Sequence, residues 1–412
     1  MGNHIEQIMN KLKIAIDFRI DDPRQGVGTA VLALAHGLSQ LKGNNQEYLF
    51  VVYDHSVEWL KPHISGPCSI VGAPSDNRSK TGVVKKALGK IPPLRRVYAR
   101  IRTDTSIIPA SDGFVETLGC DLVHFPCQVA YLTEIPSIYQ PWDLQHCHLP
   151  QFFSQEDLRM RQLRYPAFCR QARSVCVQTE WGKKDLFEQF GVAPEKIDVI
   201  RWGSAFEAYS APLDAEVREV QQELGLPKIF LIYPAITWPH KNHELVIRGL
   251  AWMKQQYGLT VEVIFTGTTN AYRDELLELA VHLGVAQQIR FLGFVTDKQI
   301  QAIFRLATAM VFPSKFEGLG LPVIEAFRVG LPVACSFATV LPEVGGDAAL
   351  FFDPDSPEEF GRVVQRLLSS EELRSTMIAR GYRALERYST SATATAFVEL
   401  YQRVAKESRE SH

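Results

Sequence analysis

Short, almost continuous apolar runs recur along the sequence, and the pattern of an amphipathic helix follows most of them. The runs lie at Leu12 to Phe18, Tyr48 to Tyr53, Ser174 to Gln178, Ile197 to Arg201, Ile229 to Ile236, Val261 to Gly267, Ala309 to Pro313 and Pro332 to Ala334. Buried strands of parallel sheets have this composition because helices cover both faces of the sheet. The alternation of strand and helix therefore predicts an α/β fold built on parallel sheets.

The predicted strands and helices fall into two series, one ending near Arg201 and the other starting near Lys228. A chain of 412 residues is longer than one hydrophobic core usually serves. The segment from Trp202 to Pro227 has no clean strand pattern, and we interpret it as the connection between two domains. We expect two doubly wound domains that face each other across a cleft.

Charge and cysteine content exclude several classes of protein. The formal net charge is -2, so the chain as a whole does not attract nucleic acid, and we expect no nucleic-acid partner. The seven cysteines include no Cys-x-x-Cys pair, which argues against a disulfide framework and a zinc site. No apolar run approaches the ~20 residues of a membrane span, and no signal-peptide pattern is present. These features predict a cytoplasmic protein.

A basic segment from Arg78 to Arg102 departs from the rest of the chain. Its cationic residues alternate with apolar residues at roughly helical spacing, and Pro92-Pro93 divides it into two short helices at most. One interpretation is a surface that contacts anionic lipid, or a lipid-linked diphosphate acceptor, at the inner face of the membrane. The other is a solvated basic face over a helix core, and both interpretations fit the pattern.

The densest motif runs from Phe316 to Ala326 and reads Phe-Glu-Gly-Leu-Gly-Leu-Pro-Val-Ile-Glu-Ala. A strand, a glycine-rich turn and a helix place free backbone N–H groups at the edge of an open sheet, where anions bind. Glu317 falls in the turn, and Glu325 falls about one turn inside the helix. Two carboxylates would repel a bare anion, so hydroxyl groups are their natural partners. A sugar nucleotide supplies both hydroxyls and a diphosphate.

This motif, continued by Gly330-Leu331-Pro332-Val333 and Leu341-Pro342-Glu343, resembles the signature of the retaining GT4-type glycosyltransferases, the glycosyl transferase group 1 family. Glu317 and Glu325 stand at the family's spacing, with seven residues between them. The resemblance implies that Glu317 contacts the transferred sugar beside its anomeric carbon and that Glu325 holds the nucleotide ribose. The donor-binding loop positions that it implies are Gly318, Leu319, Gly320 and Leu321.

Lys241, in the run from Thr237 to Asn242, matches the lysine with which that family binds the donor diphosphate. A long cation at a helix start is able to neutralise the leaving nucleoside diphosphate. The family usually adds an arginine nearby, and Ile236 and His240 occupy the two places where it commonly lies. Either His240 takes its place, or Arg201 or another residue supplies the second charge.

The run from Arg24 to Ala30, with Gly26 and Gly28, resembles the family's N-terminal glycine loop, which closes over the donor phosphates. The alternative is a plain tight turn, because the third glycine of a dinucleotide fingerprint is missing. The run from Trp142 to Phe153 resembles another family segment, but Trp142 stands where many members have a histidine. Asp143 and His146 remain as candidates for binding the sugar 6-hydroxyl or assisting proton transfer.

The catalytic candidates are therefore Glu317, Lys241, His146 and Asp143. Gly267, Phe294 and Val295 resemble residues of the loops that frame the nucleobase and complete the predicted donor site. The resemblance implies a GT-B fold of two Rossmann-like domains, at residues 1–207 and 208–390, with a C-terminal helix at 391–412 that crosses back to the first. It also implies retention of anomeric configuration, with no metal ion and no cofactor.

The residues do not distinguish the base or the sugar of the donor. We expect UDP-glucose as the donor, with GDP-mannose second, and a saccharide or lipid-linked saccharide as the acceptor in polysaccharide biosynthesis. An epimerase or hydrolase of nucleotide sugars would keep the fold and change the reaction. A non-catalytic scaffold that binds nucleotide sugars in a polysaccharide-assembly complex is a further alternative, which the missing arginine and Trp142 support. A dehydrogenase fits least, because the glycine fingerprint is incomplete.

Overall fold

The computed structural model describes residues 11–21, 26–43, 45–75 and 107–410. The basic segment from Arg78 to Arg102 lies outside the described residues, as do Arg24 and Gln25. The proposed lipid-facing surface on that segment therefore stays a prediction. Helices and strands are numbered below in chain order over the described residues.

The first half of the chain forms a seven-stranded sheet in the order β3-β2-β1-β4-β5-β6-β7, and every neighbouring pair is parallel. Its strands are β1 (Leu12–Asp17), β2 (Gln46–Tyr53), β3 (Cys68–Ala73), β4 (Leu122–Phe125), β5 (Ser137–Tyr139), β6 (Ser174–Val177) and β7 (Ile197–Val199). The apolar side chains of β1 and β2 are almost all buried, as helices on both faces require.

The second half forms a six-stranded parallel sheet in the order β10-β9-β8-β11-β12-β13. Its strands are β8 (Phe230–Pro234), β9 (Glu262–Thr266), β10 (Ile289–Gly293), β11 (Ala309–Phe312), β12 (Val333–Ser336) and β13 (Ala349–Phe352). In both sheets the chain first adds strands on one side of the first strand, β1 or β8, and then adds the remaining strands on its other side. The order reverses between β1 and β4 and between β8 and β11, and ligands of such sheets bind at this point, beyond the carboxyl ends of the strands.

The α-helices are α1 (Val27–Ser39), α2 (Val57–Leu60), α3 (Gln145–His148), α4 (Gln155–Gln171), α5 (Glu180–Phe190), α6 (Asp214–Glu223), α7 (His243–Tyr257), α8 (Tyr272–His282), α9 (Asp297–Leu306), α10 (Leu321–Arg328), α11 (Leu341–Gly345), α12 (Pro357–Ser369), α13 (Glu371–Ala384) and α14 (Thr390–Glu410). They alternate with the strands and cover the sheets. The predicted α/β class with two doubly wound parallel sheets is confirmed.

The last helix, α14, belongs to the packing of the first sheet although it follows the second in the chain. It packs against α1 and β1. The Tyr401 hydroxyl lies 2.9 Å from Nδ1 of His124, which is fully buried in β4. The ring of Phe397 meets Trp202 edge-on at 5.4 Å. The domain boundaries at residues 207 and 390 themselves stay a prediction.

Candidate active site

A cleft of about 440 Å³ is lined by residues of both halves of the chain. It lies where the loops after β8 and β11 meet the loops of the first sheet. Twelve of the fourteen predicted site residues line it, namely Gly26, Asp143, Lys241, Gly267, Phe294, Val295, Glu317, Gly318, Leu319, Gly320, Leu321 and Glu325. The motifs, which are far apart in sequence, therefore converge on one site.

Lys241 and Glu317 form an ion pair at the centre of this cleft. Lys241 Nζ lies 2.6 Å from Glu317 Oε1, and the two side chains are only 22% and 12% exposed. Lys241 ends the loop after β8 and Glu317 lies in the loop after β11, and these strands are neighbours in the sheet. The topology thus places a cation and a carboxylate next to each other at the carboxyl edge, where ligands of open sheets bind.

The backbone around Lys241 is fixed by buried hydrogen bonds. The Tyr233 hydroxyl at the end of β8 donates to the Lys241 carbonyl at 2.6 Å. Asn242 adopts left-handed backbone angles, with φ 60°, and ends the short turn that carries Lys241. Its Nδ2 donates to the carbonyls of Pro313 and Pro354 at 3.1 and 2.7 Å. Asparagine tolerates this conformation, and these bonds hold the turn against the loop after β11.

The loop of Glu317 is equally well defined. The Glu317 N–H donates to Thr339 Oγ1 at 3.2 Å, and Thr339 Oγ1 donates to the Glu317 carbonyl at 3.1 Å. Gly320 precedes α10 with φ 80°, a left-handed angle that favours glycine. At Gly318 a Cβ atom would lie 2.7 Å from the carbonyl oxygen of Trp142, so only glycine permits this approach to the first domain. The first N–H groups of α10 have no acceptor within the helix.

Glu325 lines the same cleft about one helical turn into α10. Burial, together with the nearby charge of Asp297, raises the pKa of its carboxyl to about 7. A hydrogen bond from Ser204 acts in the opposite direction and favours the charged form. Glu325 is therefore a hydrogen-bonding group whose charge changes near neutral pH.

Asp143 and Trp142 bring the first domain to the cleft. Asp143 Oδ1 accepts the N–H of Gln145 at 3.0 Å, and burial raises the pKa of the Asp143 carboxyl. Trp142 has a left-handed φ of 66°, and its indole N–H donates to the Pro126 carbonyl at 2.7 Å. This tryptophan therefore connects two loops. A histidine at the same position would be expected to have a polar role in the site.

His146 and Gly28 are not brought to the cleft. His146 is 1% exposed, and its ring lies 5.2 Å from Tyr165 and 6.1 Å from Phe190. Burial lowers the pKa of His146 to about 4, so it is a neutral core residue. The one-turn helix α3 turns its side chain inward. Gly28 is buried inside α1, and of the predicted glycine pair only Gly26 lines the cleft.

Neither candidate for the second diphosphate charge lines the cleft. Arg201 pairs with Glu343 at 3.7 Å, and the ring of His240 packs against Phe152 at 6.3 Å. Burial lowers the pKa of His240 to about 4, which leaves it neutral. Lys241 is the only cationic side chain among the described residues that line the cleft.

Several cleft residues were not identified from the sequence, namely Gln128, Tyr209, Trp238, Thr266 and Asp297. Trp238 stands three residues before Lys241, and its 51% exposure marks a large aromatic surface kept in contact with solvent. Asp297 follows Val295 by two residues. Closeness in sequence to a predicted site residue could therefore have identified both Trp238 and Asp297. Tyr209 comes from the connection between the domains, where no pattern indicated a site.

No metal site is evident in the described part of the chain, which contains no group of three or more His, Cys, Asp or Glu placed to hold an ion. His148 Nε2 lies 2.7 Å from Asp185 Oδ1, a pair without a third ligand. Asp353 Oδ1 accepts the N–H of Asp355 at 2.8 Å in the turn before α12, and Ser356 caps that helix. The Asp-Pro-Asp sequence from Asp353 to Asp355 thus forms a turn that leads into a capped helix.

Comparison with known proteins agrees with this geometry. Residues 215–384, which contain Lys241, Glu317 and Glu325, match the family model described as Glycosyl transferases group 1. The O-antigen chain mannosyltransferase B of Escherichia coli is 25% identical over 287 residues, which cover 66% of this chain and 74% of that protein. These matches indicate a glycosyltransferase whose second half resembles the group 1 family. The resemblance of the Glu317 and Glu325 motif to this family is thereby confirmed.

Other relatives extend the comparison. A serotype-specific mannosyltransferase of Escherichia coli, WbdA, is 26% identical over 298 residues, and the matched part covers 68% of this chain but only 36% of that longer relative. HepE of Anabaena, solved in complex with UDP and glucose, superimposes with a TM-score of 0.69 at 18% identity, over 95% of this chain and 100% of that one. WaaG, a glycosyltransferase involved in lipopolysaccharide biosynthesis, gives a TM-score of 0.64 at 15% identity, over 94% and 99%. The chain shares the GT-B fold with these structures.

Among the helices of the described residues, none is both long enough and apolar enough to span a bilayer.

Proposed function

We propose that this glycosyltransferase moves a hexose from a nucleoside diphosphate hexose to a hydroxyl group of a saccharide acceptor, with retention of anomeric configuration and without a metal ion. The observation that carries the proposal is the pair of Lys241 and Glu317, 2.6 Å apart on neighbouring loops of the cleft. One side chain suits the diphosphate of such a donor, and the other suits its sugar hydroxyls.

In this proposal the diphosphate lies between Lys241 and the N–H groups of Gly318 to Gly320. These groups stabilise the negative charge that develops on the leaving nucleoside diphosphate, and they are fixed in position before the reaction. Glu317 faces the sugar ring, and Glu325 accepts a hydrogen bond from the ribose. Asp143, which reaches the cleft from the first domain, binds a hydroxyl group of the transferred sugar.

The reaction is a direct front-face transfer. The acceptor oxygen forms a bond with the anomeric carbon while the bond from that carbon to the phosphate oxygen breaks. The acceptor proton passes to the departing phosphate oxygen. Glu317 sits in an ion pair with Lys241, which suits charge stabilisation beside the sugar and not attack as a free nucleophile.

The activities named for the relatives favour one donor sugar over the other. The residues themselves do not decide between UDP-glucose and GDP-mannose, but the relatives that match 66% and 68% of the chain are mannosyltransferases. We therefore place GDP-mannose ahead of UDP-glucose. The acceptor is a growing saccharide, free or lipid-linked, as in the polysaccharide assembly that the name O-antigen chain mannosyltransferase describes.

Calorimetry with UDP, GDP, ADP and their glucose or mannose esters, with and without magnesium, tests the proposal. We expect binding of one nucleotide family that is independent of magnesium and is lost in Lys241→Ala. Product analysis by NMR then reports the anomeric configuration. Full turnover of the donor without an acceptor would indicate an epimerase or hydrolase. Donor binding without turnover in the presence of any saccharide acceptor would indicate a scaffold.

A further inference from the structure

Glu343 reaches from the second domain to a helix of the first. It lies in α11, two residues after Leu341, and its carboxylate accepts the N–H groups of Glu180 and Trp181 at 3.0 and 3.1 Å, one on each oxygen. These are the first two residues of α5. The carboxylate is 23% exposed, and Arg201 lies 3.7 Å away. Charge at the positive end of a helix dipole adds to the two hydrogen bonds.

This contact completes the N-terminal cap of α5. The third N–H of the helix, that of Gly182, donates to Thr179 Oγ1 at 3.0 Å, and Thr179 belongs to the first domain itself. The first turn of a helix leaves its N–H groups without partners in the helix, so each needs an acceptor from outside. Thr179 supplies one, and a residue of the other domain supplies two.

The segment that carries Glu343 also holds the Glu317 loop. Thr339, four residues earlier, exchanges two hydrogen bonds with the Glu317 backbone, at 3.2 and 3.1 Å. Thr339 has a left-handed φ of 48°, an unfavourable angle for threonine that its surroundings must enforce. Leu341 packs under the same loop, where a Cβ on Gly320 would lie 2.8 Å from its Cδ2. A single stretch of five residues therefore connects Glu317 to α5.

The loop contacts α5 directly as well. Phe316, which precedes Glu317, meets the Trp181 ring edge-on at 5.7 Å and lies 5.2 Å from the ring of His148. Two connections therefore link Glu317 to the first turn of α5. One is the neighbouring Phe316, and the other is the segment from Thr339 to Glu343. Movement of α5 relative to the second domain would act on both sides of Glu317 together.

We propose that Glu343 is a positioning residue that locks the Glu317 loop onto α5 and thereby couples contact between the two domains to sugar transfer. Glu343 lies outside the donor cleft, so it acts through the Glu317 loop and not on the donor. The expected effect of Glu343 on the rate of transfer rests on the proposed function. The contact of Glu343 with α5, in contrast, can be measured in the absence of any substrate.

The test compares Glu343→Ala with Thr179→Ala in the full-length protein. Both variants remove part of the cap of α5, and each is expected to lower Tm by a few degrees. Thr179→Ala leaves the contact between the domains intact and is therefore the matched control. Hydrogen exchange is followed in two peptides, one covering residues 179–187 and the other residues 314–322. Glu343→Ala is expected to speed exchange in both peptides, and Thr179→Ala only in the first.

Kinetics provide the second measurement. Misplacement of a catalytic group by about 1 Å can cost about 100-fold in rate, so we expect kcat of Glu343→Ala to fall about 10- to 100-fold. Nucleotide affinity should change less than about twofold, and Glu343→Gln, which keeps one acceptor oxygen, should recover part of kcat. Unchanged exchange at residues 314–322 in Glu343→Ala overturns the proposal, as does an equal loss of kcat in Thr179→Ala. If the wild-type protein transfers no sugar, the proposed function fails and the exchange measurement still decides the lock.

Discussion

Glu317→Gln should separate donor binding from sugar transfer, because Glu317 is held by the same ammonium group that the donor diphosphate needs. In the unliganded protein Lys241 Nζ lies 2.6 Å from Glu317 Oε1. A diphosphate that enters the cleft must share or displace this partner. Its negative charge also comes close to the Glu317 carboxylate. Removal of that carboxylate's charge, with its shape retained, frees Lys241 for the phosphate.

The magnitude follows from the burial of the pair. Exposed ion pairs are worth about 0.2–1 kcal/mol, and loss of one partner of a fully buried pair costs about 3–5 kcal/mol. With side chains 22% and 12% exposed, the pair lies between these limits, and we assign it about 1–2 kcal/mol. Glu317→Gln should therefore tighten binding of a bare nucleoside diphosphate by roughly 5- to 30-fold. Lys241→Met should weaken it by roughly 10- to 150-fold, because a hydrogen bond to a charged group is lost.

Calorimetric titration of the nucleoside diphosphate into the two single variants and the double variant gives the result directly. The same proteins are then assayed with the complete donor and an acceptor. We expect Glu317→Gln to bind the nucleotide more tightly while kcat falls about 100-fold or more, since stabilisation beside the anomeric carbon is lost. Weaker nucleotide binding in Glu317→Gln, by more than about threefold, would refute the reasoning, because the carboxylate would then support the diphosphate and not compete with it.

Other predictions concern single positions of the site. Gly320→Ala should lower stability by about 1–2 kcal/mol, seen as a lower Tm, because φ is 80° and alanine is strained there. Since the pKa of Glu325 is raised to about 7 by burial and Asp297, the carboxylate charges as the pH rises from 6 to 8. Nucleotide affinity should rise roughly tenfold over that range, and Glu325→Gln should abolish the change. The stability that the neutral Glu325 carboxyl contributes is complete below the ordinary pKa of 4.5 and is lost as the pH rises through about 7. His146→Ala should cost about 2 kcal/mol or more of stability by opening a core cavity, and nucleotide affinity measured by calorimetry should not change.

The fold was largely predictable because its strongest signals are local. Each of the eight apolar runs coincides with an observed strand whose ends differ from those of the run by at most two residues, for example Tyr48 to Tyr53 and β2. Two of the strands that were missed, β4 and β5, are short and carry polar residues. His124 in β4 and Ser137 in β5 are buried nevertheless, and His124 is accommodated by its tertiary hydrogen bond with Tyr401.

The donor side of the candidate site was predictable for the same reason. Each of its motifs follows a strand, and the order of the strands in the sheet brings the motifs together. The contribution of the first domain was less so. His146 and Asp143 are three residues apart, yet one lies in the core and the other at the cleft. A one-turn helix decides between them, and no period of apolar residues is readable over so short an element.

The two carboxylates that frame the donor loop differ in what they bind before any donor arrives. Glu317 is paired with Lys241 of its own domain, whereas Glu343 accepts backbone N–H groups of the other domain and lies 3.7 Å from Arg201. A diphosphate can therefore disturb the first pair without disturbing the second. Donor entry would release Glu317 toward the sugar while Glu343 keeps the loop in register with α5. The donor thus breaks the contact of Glu317 with Lys241 and leaves the contact of Glu343 with α5 in place. This arrangement frees the catalytic carboxylate while its loop keeps its position.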